Sequence, residues 1–331
     1  MLATVKEKQF SEAAQAQTIE KGTSLWADAY VRLKKNKLAM LGAITVVVIL
    51  VLCFLVAPLL GLISDNFDAN AQDLDNRFSG PSASNWLGTD QLGRDFLMRI
   101  LEGGQISLLV AIVATVLTVT IGIIYGAIAG YVGGKVGTVM MRIVDGLLAM
   151  PFLIIVILFR ELISGQMKLA AAFLVDDWGW SNDFVSRFAN LVPLTLAIAG
   201  FGWLTMGRIV RTAAASLSKQ EFVEAAHSLG LSHARILRRY LLPNMLGPVI
   251  IYATLTIPSF ILYEATLSFI GLGINPPNSS WGTLIKEGAN FLESQPYVLA
   301  LPAFVFSLTL FAFNFLGDGL RDALDPKASK D

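Results

Sequence analysis

Few side chains in this sequence could do chemistry. His227 and His233 are its two histidines and Cys53 its one cysteine. A metal-binding pair on one helix face needs histidines four apart. Here Gly230 stands between them and ends any helix that could carry both, so no metal site is expected. Cys53 sits in an apolar block with no second cysteine to pair with. The segment "GGKVG" around Lys135 suggests a phosphate loop, but the upstream glycine is missing. Val136 also stands where a Ser or Thr would hold magnesium. What remains is an unusual polar stretch, "SKQEFVEAAHSLGLSHARILRRYLLPN", Ser218 to Asn244, between long apolar runs.

The spacing within that stretch predicts two short helices. Ser218 followed by Glu221 has the form of a capping box, which starts a helix at Lys219. Phe222, Ala225, Ala226 and Leu229 recur as one apolar face, and Gly230 suits the left-handed residue that closes it. Ser232 can cap a second helix lined by Ile236, Leu237, Tyr240 and Leu241. Arg235, Arg238 and Arg239 are on its charged side and Pro243 is at its end. An amphipathic helix of this size ordinarily lies on a membrane. This apolar face is small, however, and Glu221 and Glu224 flank it, which an anionic leaflet repels. Small residues beside carboxylates suit a helix laid into a protein groove.

The elements that hold this hairpin are set by composition. Hydrophobic residues make up 54% of the chain, charged residues 15%, and mean hydropathy is +0.62. Such a chain cannot cover a soluble globule with polar surface. Its apolar residues form six blocks: 38–63, 106–134, 136–159, 188–207, 246–272 and 296–317. Each is long enough to cross a bilayer, which takes roughly 20 residues. The expected fold is therefore all-α, a polytopic membrane protein with six transmembrane helices. Its first span is a retained anchor, because its core is too long for a signal peptide. Lysine and arginine concentrate in the N-terminal tail, in 208–239 and at the C-terminus, which puts both termini and the hairpin inside. A net charge of zero offers no electrostatic case for nucleic acid.

Along the chain this gives a cytoplasmic tail and surface helix over 1–37 and the first span over 38–63. An external loop covers 64–105 and a five-helix core 106–317, with the hairpin region at 208–245. A cytoplasmic tail, 318–331, follows. Further external loops are expected at 160–187 and 273–295. Gly122, Gly126 and Gly130 share one face of the second span, where a neighbouring helix can approach closely, as packing or as a wall of a pathway. Asp145 and Glu264 are acids at membrane depth, and Met150 precedes Pro151. Buried acids of this kind either bond a neighbouring helix or face a wet pathway. Both roles stay open. Arg208 and Arg211 are expected to snorkel at the inner end of the fourth span.

Glu224-Ala225-Ala226, Gly230 and the closing Leu242-Pro243 resemble the EAA loop of membrane subunits of ABC importers, with Tyr240 where that pattern has isoleucine. The runs "LGTDQLGRDF", "GGQISLLVAI", "YGAIAGYVGGKVGTVMMRIVD", "EATLSFIGLGINPPNSSWG" and "FNFLGDGLRDALDPK" extend the likeness from Ser24 to Lys327. They are similar to the C-type permease of the dipeptide/oligopeptide importer family, and the tail with "SLWADA" favours the oligopeptide branch. The resemblance implies a MetI-like type I permease without catalytic residues. Glu221, Glu224, Ala225, Ala226, Leu229 and Gly230 then dock on a separate ATPase subunit. It also implies a second homologous permease, two ATPase subunits that hold the ATP and magnesium, and an extracytoplasmic peptide-binding protein. The location implied is a bacterial cytoplasmic membrane. The alternatives are a relative that carries nickel chelates or another small solute, and a self-contained secondary transporter, for which internal repeats are expected and none is found.

Overall fold

The computed structural model describes residues 25–63, 68–276 and 278–324, and among them the chain is helical without a strand. The helices are α1 (Leu25–Lys35), α2 (Lys37–Ile63), α3 (Phe96–Val132), α4 (Gly134–Leu148), α5 (Phe152–Asp176), α6 (Asn182–Leu217), α7 (Glu221–Ser228), α8 (His233–Phe269), α9 (Trp281–Ala289) and α10 (Pro296–Leu324). Five of them, α2, α3, α6, α8 and α10, are long and apolar enough to cross a membrane; α4 and α5 are a bent pair that together are long and apolar enough for a sixth.

That pair corrects the expected third span. The run 136–159 is not one helix: α4 and α5 meet at 92° across Ala149, Met150 and Pro151. Proline disfavours helical backbone at the residue before it, so α4 ends at Leu148 and Pro151 becomes the N-cap of α5. Helix α5 then runs to Asp176, through Arg160, Glu161 and Lys168, so the expected external loop at 160–187 is helical over its first half. The third expected loop likewise contains a helix, α9. Ser280 and Thr283 form a true capping box at its start.

Long helices at the centre pack through small residues. On α3, a side chain at Gly122 would overlap Met206; at Gly126 it would meet Gly207 and Val210, and at Gly130 Arg211 and Ala214. Successive turns of α3 thus rest on successive turns of α6. With no hydrophobic driving force between helices in lipid, such close approach is what holds them together. Gly42 of α2 lies on Ala312 of α10 in the same way, and Gly317 of α10 lies on Leu255 of α8.

The end of the bundle away from the hairpin is closed by polar interactions. Asp95 caps α3, accepting from the Met98 amide at 2.8 Å. In "LGTDQLGRDF", Asp90 accepts from the amides of Leu92 and Arg94 and from the guanidinium groups of Arg94 and Arg99. Arg99 then bridges to Glu287 of α9 at 2.7 Å. The motif is therefore a clasp that fixes the loop before α3 against α9.

Candidate coupling site

Helix α6 carries the chain out to the hairpin, and α8 carries it back. Ser218 does not cap α7: α6 continues through Leu217, and the Ser218 hydroxyl donates to the Ala215 carbonyl instead. Gln220, extended, precedes α7, which starts at Glu221. The other end of α7 is a Schellman turn. Gly230 has φ +73°, the Leu231 amide donates to the Ala226 carbonyl, and the Gly230 amide donates to that of His227.

Pro243 does not end the second helix, which runs unbroken from His233 to Phe269. A proline ring in an α-helix clashes with the carbonyl one turn back. Here Leu237–Leu241 opens into a π-turn, with the Leu242 amide reaching back to the Leu237 carbonyl, and the wider turn accommodates the ring. The Asn244 side chain takes up the carbonyl of Tyr240.

The faces of α7 divide differently from the expected stripe. Val223 (1% exposed) and Ala226 (3%) turn inward, against Ala214, Ile236 and Leu241. Phe222 (39%) and Leu229 (80%) turn out, as do Ala225, Glu221 and Glu224. The hairpin core thus needs only one of the two alanines. An apolar strip with two carboxylates beside it is left with no partner from its own chain among the described residues.

The membrane-depth acids have distinct surroundings. Glu264 is fully buried and accepts from Ser107 and Ser268, both at 2.7 Å. Ser107 also accepts from the Trp281 amide, and Ser268 from that of Ile274. Of the two roles left open for Glu264, these are the surroundings of the packing one: it joins α3, α8 and α9. Asp145 accepts from Arg208 at 2.6 Å, and both are about half exposed. Arg208 is therefore ion-paired, where the sequence suggested only a cation reaching for headgroups. Met150 is exposed at the break between α4 and α5.

Three comparisons bear on this arrangement. The family profile described as "Binding-protein-dependent transport system inner membrane component" matches residues 119–330, from the middle of α3 to the end of the chain. A second, "N-terminal TM domain of oligopeptide transport permease C", matches 24–81. The chain belongs to this permease family. Among curated relatives, the oligopeptide transport system permease protein OppC of Escherichia coli K12 is 42% identical over 92% of each chain. That of Bacillus subtilis 168 is 38% identical over 94% of this chain and 92% of the relative. The dipeptide transport system permease protein DppC of Bacillus subtilis 168 is 40% identical over 91% and 85%. Among solved structures, the inward-facing MetNI methionine ABC transporter aligns with a TM-score of 0.48 at 20% identity, over 69% of this chain and 96% of that one. The chain is thus a multi-pass membrane permease of the binding-protein-dependent class, and the hairpin lies inside the segment that defines the family.

Two features of the site were out of reach of sequence reasoning. Tyr131, in the last turn of α3, contacts both histidines of the hairpin. The Arg208–Asp145 pair joins α6 to α4 across 63 positions of sequence. Neither partner carries a spacing signal. Among the described residues no group of three or more His, Cys, Asp or Glu side chains converges as a metal site would require.

Proposed function

We propose that this permease is one of two homologous membrane subunits of an ATP-driven importer of oligopeptides or dipeptides. In this proposal it forms half of the translocation pathway. The ATP and magnesium belong to two separate ATPase subunits, a binding protein delivers the peptide outside, and this chain contributes no catalytic residue. The observation that carries the reading is the outward strip of α7. Phe222, Ala225 and Leu229 with Glu221 and Glu224 are presented by a helix held rigidly between α6 and α8, two membrane-crossing helices. A partner that grips this strip and moves tilts both helices. The relatives named for oligopeptide and dipeptide transport supply the substrate class.

The end that carries the hairpin also carries Arg32, Lys34, Lys35, Lys135, Arg235, Arg238, Arg239 and Arg321. This favours a cytoplasmic hairpin and cytoplasmic termini in a bacterial inner membrane. Asp145 and Met150, exposed near the break between α4 and α5, are the candidates for the pathway wall; Glu264 braces it from behind.

Glu224→Lys tests the docking role. A charge-assisted contact is worth about 1.5–3 kcal/mol, so reversing the charge should release ATP hydrolysis from peptide uptake while the subunit stays in the membrane. Unchanged uptake per ATP in this variant would refute the docking role.

A further inference from the structure

We infer that Tyr131 is a positioning residue for the coupling movement: its hydroxyl ties both halves of the hairpin to the inner end of α3. This rests on the docking role proposed above for the hairpin. The Tyr131 Oη lies 3.2 Å from His227 Nε2 and 2.7 Å from His233 Nδ1. The two histidines belong to opposite sides of the Gly230 turn, so a single oxygen spans it. The Tyr131 ring stacks on that of His227, with 7° between planes, and meets His233 edge-on. It also packs against the cluster that holds Val223, Ala226 and Ile236.

Either of two proton arrangements satisfies all three groups: Oη–H donates to one imidazole nitrogen and Oη accepts N–H from the other. Helices α6 and α8 receive the hairpin's movement through the backbone. Helix α3 has no backbone link to it, and this tether joins it to the hairpin directly, beside its packing on α6. Helix α3 is the one whose glycines interlock with α6 and whose far end holds Ser107 and Arg99. Displacement of α7 is thus passed to α3, and along it toward Ser107 and the outer clasp, by way of Tyr131.

The test uses the chain assembled with its partner subunits in lipid vesicles, measuring peptide taken up per ATP hydrolysed. Tyr131→Phe keeps the ring and removes the hydroxyl, and its ratio should be about fivefold lower than that of the wild type, the equivalent of one hydrogen bond. His233→Asn, whose amide oxygen can accept from Tyr131, should keep the wild-type ratio, whereas His233→Ala should lower it like Tyr131→Phe. A Tyr131→Phe protein with the wild-type ratio would overturn the inference. If that variant fails to assemble, a wild-type ratio in His233→Ala would overturn it. Glu224→Lys separates the two levels: if it uncouples and Tyr131→Phe does not, only the tether fails, whereas if neither uncouples, the docking role itself fails.

Discussion

Glu264 shows at the scale of one residue how the permease uses a buried acid. Its carboxylate is satisfied by two serine hydroxyls, which are in turn bound by the amides of Trp281 and Ile274. The node is a relay in which each member satisfies the next. Ser107→Ala should therefore remove a bond to Glu264 and leave the Trp281 amide without its acceptor, at about 1–3 kcal/mol for a buried polar group left unpaired. Thr266→Val, on the exposed side of the same helix, removes only a bond to its own backbone and should change little. Thermal unfolding of the purified protein in lipid compares the two; equal melting of Ser107→Ala and wild type would mean the relay does not stabilise the bundle. The acid stood out in the sequence because charge is costly at that depth. Its partners did not, since Ser107 lies 157 positions away and an isolated serine carries no pattern.

At the scale of elements, α3 and α6 depend on their glycines. The four-residue spacing of Gly122, Gly126 and Gly130 pointed to a close helix neighbour, but spacing alone does not say which helix that is. Gly126→Leu should force the pair apart and cost about 1–3 kcal/mol as overpacking does, lowering the yield of membrane-inserted, protease-resistant protein. Gly146→Leu, where a side chain meets open space, should leave the yield unchanged. The features that misled at this scale share a cause. Ser218, Pro151 and Pro243 each have a local preference whose outcome depends on neighbours. Ser218 fits the start of a helix until α6 is seen to reach it. Pro151 breaks its span at a 92° corner, whereas Pro243 is absorbed by a π-turn. Hydropathy located all the apolar blocks because lipid imposes length and composition on any crossing segment. It said nothing of the bend, which lies inside one apolar block.

At the scale of the whole molecule, the permease is a bundle clasped at one end, with an outward-facing hairpin helix at the other. Arg99, Asp90 and Glu287 lock the loop before α3 to α9, while the opposite end presents Phe222, Ala225 and Leu229 outward. The hairpin was legible as two helices around Gly230 because capping and turn chemistry are local. Which side of α7 faces out was not, because Val223 and Phe222 are both apolar and only the packing of α6 and α8 chooses between them. The most direct test of the account uses the chain's single cysteine to advantage. Cys53 is buried, so Ala225→Cys places one reactive thiol on the outward strip. A photoactivatable crosslinker on that thiol, in membranes that hold the full set of partner subunits, should join the permease to a nucleotide-hydrolysing subunit, with a yield that changes when ATP is added. Crosslinks to lipid alone, or none that respond to ATP, would contradict it.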